Sequence, residues 1–221
     1  MANEVTDESV VYLKDTRLSF ADHIFEAEIG APRENGKHKG KIPYRWSANF
    51  LTANPAEHKK INKAVAHVIA AQWPDGTVKI KAERSAFRDG DNETWAGYAD
   101  NWYVSASQTK YGAPDDNGRV ANPPKRPFPV IGPRKVKKDD GSIGFPAVGP
   151  ETIYSGCRVN VKIRFWAQDD PEHGKRVNAS IEAVQFARDD VAFGGGKPTN
   201  VDDEFDDLGG ESAFDDDGDD I

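Results

Sequence analysis

Between Cys157 and Arg188 the chain alternates apolar and polar residues with period two, a pattern that only β-strands satisfy over such lengths. Val159, Val161, Ile163 and Phe165 form one parity; Arg158, Asn160, Lys162, Arg164 and Trp166 form the other. Asp169-Asp170-Pro171-Glu172-His173-Gly174 supplies turn residues, and from Arg176 the alternation resumes with Val177, Ala179, Ile181 and Ala183 inward. The two runs predict a hairpin. After Ala183 the apolar parity moves to Val184 and Phe186, which predicts a bulge that lets the second strand serve two sheet faces. The outer face of the first strand carries three cations, an amide and a tryptophan with no acid in the run, a composition suited to a polyanion. Cations on a solvated strand face are also ordinary, so the hairpin alone leaves solvation and polyanion binding both open.

The rest of the chain reads as short strands around one helix. Val10 to Ile29 predicts one or two strands interrupted near Lys14-Asp15 and Ala21-Asp22, and Pro32 to Lys41 a mobile loop with Arg33, Lys37, Lys39 and Lys41. Tyr44 to Phe50 alternates strictly, giving a strand with an aromatic face. Asn54-Pro55-Ala56-Glu57 is a helix start, with a capping side chain and Pro at the first helical position. Ile61, Ala64, Val65, Val68 and Ile69 then follow at helical spacing until Pro74-Asp75-Gly76 ends the helix. Thr77 to Arg84 is expected to be a strand with Lys79 and Lys81 outward, Arg88 to Glu93 a turn, and Asn101 to Ser107 a strand with Trp102 inward. Gly112 to Pro150 is rich in Pro and Gly and reads as a long loop; within it Lys125 to Lys138 carries six cations and no acid.

The formal charge of −8 averages two unlike parts. From Val201 to Ile221 there are eleven acids and no base; without them 26 acids face 29 Lys and Arg, so residues 1–200 carry +3. A segment of this composition cannot bury enough apolar surface to fold, and about 21 flexible residues span roughly 25 Å, enough to reach a groove on the same or a neighbouring molecule. Solubilisation is the alternative use of such a tail, weighed against Phe205, Leu208 and Phe214 spaced through it. The expected division is a folded domain over residues 1–193 and a glycine hinge with a disordered acidic tail over 194–221.

Little points to catalysis. His23, His38, His58, His67 and His173 are scattered, and a lone Cys157 provides neither a disulfide nor zinc-ligand spacing. No cofactor or metal is expected. Asp89, Asp91 and Glu93 are the one carboxylate group that a metal-dependent nuclease reading would use. No apolar run approaches a membrane span, and the acidic start lacks the character of a targeting signal; a reducing, cytosolic setting is the expectation.

Basic and aromatic strand faces joined to an acidic tail fit single-strand binders, in which cations follow the phosphates and rings stack on bases. Tyr154-Ser155-Gly156-Cys157 opening a strand, Asn101-Trp102-Tyr103-Val104-Ser105-Ala106, and Ala183 to Asp189 followed by Phe193-Gly194-Gly195-Gly196 and the tail resemble the phage single-stranded-DNA-binding proteins. That resemblance implies an oligonucleotide-binding fold and sequence-tolerant coating of single strands in phage replication or recombination. It also implies a tail that contacts replication or recombination proteins, and action in the cytoplasm of the bacterial host.

The reading is therefore a mainly β protein, a five- to six-stranded OB-fold barrel with one amphipathic helix, long loops and a disordered acidic tail, without enzymatic activity. Lys79, Lys81, Lys110, Arg158, Lys162 and Arg164 are the expected phosphate contacts, and Trp46, Tyr103, Tyr111 and Trp166 the expected stacking rings. The basic loop from Lys125 would clamp the strand. Single-stranded DNA and a homodimer are the expected associations besides the tail's partners; a virion assembly protein, with the tail shielding an interface, is the other non-enzymatic alternative.

Overall fold

The structure is a computed structural model describing residues 7–95, 97–137, 141–171 and 174–193. The glycine hinge, the acidic tail, Lys138, Glu172 and His173 lie outside the described residues. The elements are β1 (Val10–Ser19), α1 (Asp22–Phe25), β2 (Glu28–Ile29), β3 (Ile42–Thr52), α2 (Pro55–Gln72), β4 (Phe87–Asp89), β5 (Trp102–Gly112), β6 (Val130–Ile131), β7 (Val136–Lys137), β8 (Ile143–Gly144), β9 (Arg158–Asp170) and β10 (Gly174–Arg188).

Five long strands carry the fold in the order β5-β3-β1-β9-β10, every neighbouring pair antiparallel. The sheet curls until β5 and β10 approach, but no ladder joins them among the described residues. Gln108 Nε2 donates to the Ile181 carbonyl at 2.6 Å, and the Ala86 N–H donates to the Val177 carbonyl at 2.8 Å. The seam is thus a cleft rather than a zipped edge. One core fills the interior: Leu13, Leu18, Phe50, Val104, Val159, Ile163, Phe165 and Ile181 are fully buried, and α2 adds Ile61, Ala64 and Val68 against β9 and β1. Cys157 belongs to this core, its thiol pushed up to about 11 by burial.

The hairpin, its bulge and the helix follow the sequence pattern closely. β9 and β10 pair along their length with a register shift between Ile181 and Ala183. Beyond the shift β10 stays paired with β9 and gains a second neighbour, pairing in parallel with β6 at Val184 and Gln185. β1 breaks register between Leu13 and Thr16, where Asp15 takes a left-handed φ of 53°, and α1 occupies the second expected interruption. Asn54 caps α2 by accepting from the Ala56 N–H at 2.9 Å. Glu57 is buried beneath Lys60 at 2.8 Å.

One expectation is corrected. Val78 and Ile80 are half-buried between exposed Thr77 and Lys79, so the alternation is real, but Thr77 to Ile80 has no ladder partner among the described residues, and Ala82–Arg84 is a 3-10 turn. The loop from Pro32 is fastened at its base, Arg33 N–H to Lys41 O at 3.0 Å and Gly40 N–H to Arg33 O at 2.8 Å. The stretch from Gly112 to Pro150 contains β6 and the small β7-β8 ladder.

Candidate nucleic-acid interface

On the outer face of β9 the expected phosphate contacts are present, but each already has an anion. Arg158 Nε lies 2.6 Å from Asp190, Lys162 Nζ 3.0 Å from Glu182 and Arg164 Nε 2.5 Å from Glu182, while Arg164 also binds Asp7. The sequence pattern showed no acid in this run because the acids come from β10, the N-terminal segment and the residues after β10. Burial pushes the Glu182 carboxyl up, but hydrogen bonds from Lys162 and Arg164 outweigh it and leave it below the usual carboxylate range. Hydrogen bonds from Ser9 and Arg164 hold Asp7 at about 2. The electrostatic effect of these pairs is to neutralise the face.

The arginines gather elsewhere. Over the β5–β10 seam lies a cleft of about 220 Å³ whose walls carry Arg45, Arg84, Arg88 and Arg176, with Glu83 the one acid among the described residues that line it. Its floor includes Ser105 and Ser107 of β5, and Trp166 and Asn178 stand on the hairpin side. Strand parity builds it: Arg45 and Ser47 point outward because Tyr44, Trp46, Ala48 and Phe50 fill the core, and across the ladder Ser107 pairs with Ser47 and Ser105 with Asn49. Arg88 is fixed by donating from Nε to the Ser85 carbonyl at 2.8 Å, and Arg45 has an exposed carboxylate, Glu28, at 3.7 Å. Trp166 is 42% exposed and anchored by its Nε1 donating to Ser180 Oγ at 3.1 Å. A flat ring held on a strand beside four guanidinium groups offers what a single strand requires, cations for phosphates and a face for a base.

Of the expected contacts, only Trp166 lines this cleft. Trp46 is buried in the core at 4% exposure, since its parity is the apolar one. Tyr103 points outward but is roofed by Tyr98, with ring centroids 5.0 Å apart, and donates to Glu93 at 2.5 Å; burial first, then that bond, pushes its phenol up to about 12. Tyr111 is covered by the His38 ring, stacked at 3.7 Å. Lys79 and Lys81 are exposed on the segment before β4, and Lys110 is exposed on β5. Trp102 keeps its inward parity but lies at a strand end, 39% exposed, against Phe87 at 4.9 Å. In the basic loop Arg126 is spent on packing, its guanidinium 5.3 Å from the Phe25 ring and 5.7 Å from the Phe128 ring. Sequence reading missed Arg45, Arg84, Arg88 and Arg176; Arg45, Arg88 and Arg176 lie on separate strands and Arg84 in a 3-10 turn, so they become a site only when the sheet curls.

The three carboxylates of the nuclease reading are engaged by the loop that carries them. Asp89 caps the Asp91 N–H at 3.1 Å, Asp91 accepts from the Asp100 N–H at 2.7 Å, and Glu93 holds Tyr103. Among the described residues no group of three or more His, Cys, Asp or Glu is arranged to hold a metal ion, and no described helix is long and apolar enough to cross a membrane.

Known proteins share both the fold and the sequence. The structure resembles the single-stranded DNA-binding protein from bacteriophage Enc34, with a TM-score of 0.57 and 20% identity over 90% of this chain and 92% of that one. It likewise resembles that protein's structure in complex with ssDNA, with a TM-score of 0.53 and 20% identity over 85% and 91%. At this identity the likeness establishes the fold alone, an OB-like, mainly β fold with one main helix and a sheet that is not closed. Putative protein p50 of Acyrthosiphon pisum secondary endosymbiont phage 1 is 30% identical over 207 residues, which cover 90% of this chain and 93% of that protein. The family model described as the Enterobacter phage Enc34 ssDNA-binding protein matches residues 9–219, and the chain belongs to that family.

Proposed function

We propose that this protein binds single-stranded DNA without sequence preference, in the seam cleft, and coats it during phage DNA replication or recombination in the cytoplasm of the bacterial host. The observation that carries the reading is the convergence of Arg45, Arg84, Arg88 and Arg176 with exposed Trp166 over a serine floor. In oligonucleotide-binding barrels the face of strands 2 and 3 and the loops 1–2 and 4–5 take the nucleic acid. Among the five long strands here strands 2 and 3 are β3 and β5 and the 4–5 connection is the β9-β10 hairpin; β3, β5 and the two hairpin strands border the cleft, together with the segment from Glu83 to Arg88. Guanidinium groups on phosphates and a ring on a base carry no base-edge readout, so binding is sequence-tolerant. The role is stoichiometric coverage rather than turnover.

The acidic segment 201–221 competes with DNA for the arginines, on its own molecule or on a partner in a homodimer, and once displaced contacts replication or recombination proteins. The test is titration of labelled oligo-dT at two salt concentrations, with the full chain and with a form ending at Asn200. With about four phosphates neutralised, affinity falls roughly fiftyfold over a fourfold rise in salt, and the shorter form binds more tightly. Absence of binding by both forms overturns the proposal; equal binding by both removes the competition alone.

A further inference from the structure

Four rings climb away from the arginine cleft. Tyr103, paired across the ladder with Arg88, meets Tyr98 at 5.0 Å; Tyr98 meets Trp95 at 5.1 Å; Trp95 meets Phe20 at 5.3 Å, edge to face at 89°. The inner two are buried, whereas Trp95 and Phe20 are 47% and 38% exposed. A pair of large exposed rings resting on a buried aromatic stack is costly to leave in water. Its cost is raised by the backbone: Phe20 has φ 61°, a left-handed conformation that bulky residues seldom adopt. Strain of this kind persists where the surroundings over-determine it, and it concentrates at binding sites.

The loop beneath is built for rigidity. Tyr98 accepts from Asn49 Nδ2 at 2.7 Å, the Gly90 N–H donates to the Asn101 carbonyl at 2.8 Å, and Asn101 Nδ2 reaches the carbonyls of Gly97 and Ala99. At Gly90 any side chain would meet two carbonyl oxygens at 2.4 Å, so the closure depends on glycine. Asp89 and Asp91 are consumed in the same loop's backbone, and Glu93 in Tyr103. The innermost ring is tied to the cleft, since the Arg88 side chain hydrogen-bonds Tyr103.

We propose that Phe20 and Trp95 form a second stacking subsite, taking a base of the same single strand beyond Arg88 and supplying a part of the affinity that does not depend on salt. The inference rests on the reading of the cleft given above. Stacking releases no condensed counterions, so its loss lowers affinity at every salt concentration equally, whereas loss of a phosphate contact lowers the salt slope by about 0.7.

Full-length protein carrying Trp95→Ala, and separately Phe20→Gly, is titrated with an oligo-dT of about five nucleotides and one of about twenty, lengths that bracket the sites of oligonucleotide-binding barrels. The expected result is a loss of about fivefold or more for the longer oligomer, an unchanged salt slope, and unchanged binding of the shorter one. Phe20→Gly removes the ring at a position whose backbone suits glycine, so it decides the matter if Trp95→Ala disturbs the loop. Unchanged affinity of folded Phe20→Gly for the longer oligomer, or a loss accompanied by a shallower salt slope, overturns the subsite. Arg45→Ala serves as the control: if it too leaves binding unchanged, the cleft reading fails; if it weakens both oligomers while the ring variants do not, only the subsite fails.

Discussion

The outer face of β9 and the seam cleft are both basic and both carry aromatic rings within reach, yet they differ in what surrounds the charge. On β9 the cations Arg158, Lys162 and Arg164 each have a carboxylate within 3.0 Å. In the cleft Arg88 is held by the Ser85 carbonyl, and the carboxylate beside Arg45 is an exposed glutamate 3.7 Å away. A cation already paired has little left to gain from a phosphate, because the incoming anion replaces an existing attraction instead of adding one. Counting basic residues along a strand therefore misjudges where a polyanion binds; the balance of charge across neighbouring strands decides it.

The strongest way to break this contrast is to remove the cleft's exposed ring and its exposed cation together. Trp166→Ala with Arg45→Ala is expected to weaken oligo-dT binding by roughly thirtyfold or more, one stack and one phosphate contact, with the melting temperature nearly unchanged because both side chains lie on the surface. Equilibrium titration beside thermal melting checks it, and intact affinity in the folded double variant would place the strand elsewhere.

The matching experiment on β9 should show a smaller effect. Arg158→Ala with Lys162→Ala is expected to change affinity by less than about threefold and to leave the salt slope as it was. Glu182→Gln sharpens the comparison, since it releases Lys162 and Arg164 from their shared carboxylate and should steepen the salt slope by up to about one phosphate contact. A large loss in the first variant would mean that DNA displaces the acids and that pairing is no barrier.

The smallest expected effect is on stability against pH. Asp7, Glu182 and Asp190 have depressed carboxyl pKa values in the fold: Asp7 chiefly through Ser9, Glu182 through Lys162 and Arg164 despite its burial, and Asp190 chiefly through Arg158. A depressed carboxyl contributes stability above its unfolded pKa and loses that contribution as pH falls through the folded one. The melting temperature should thus decline as pH is lowered from about 5 to about 2, and less so in Glu182→Gln. A flat profile over that range would show that the latch around β9 contributes nothing.

Much of the fold was legible because it rests on short-range rules. Alternation in Arg158 to Phe165 and Tyr44 to Phe50, the parity change after Ala183, and the Asn54-Pro55 helix start each state a local geometry with its burial side, and the ladders and cap obey them. Alternation alone could not tell a paired strand from an unpaired segment that buries every second residue, which is why Thr77 to Ile80 resembles a strand. The same parity argument, applied without deciding which face was buried, placed Trp46 on the surface; once Tyr44 and Phe50 are counted with it, the whole parity belongs inside.

The candidate site was mostly illegible because its parts lie far apart in the chain. The sequence by itself determined the strand parities, the helix and its cap, the bulge, and the division of charge between a basic body and an acidic end, since each of these depends on residues within a few positions of one another. Only the tertiary structure decided which cations are neutralised and which converge. Glu182 reaches Lys162 and Arg164 across a ladder, His38 covers Tyr111 from a loop, and Arg45, Arg84, Arg88, Trp166 and Arg176 meet only because the sheet curls until β5 and β10 come together without zipping shut.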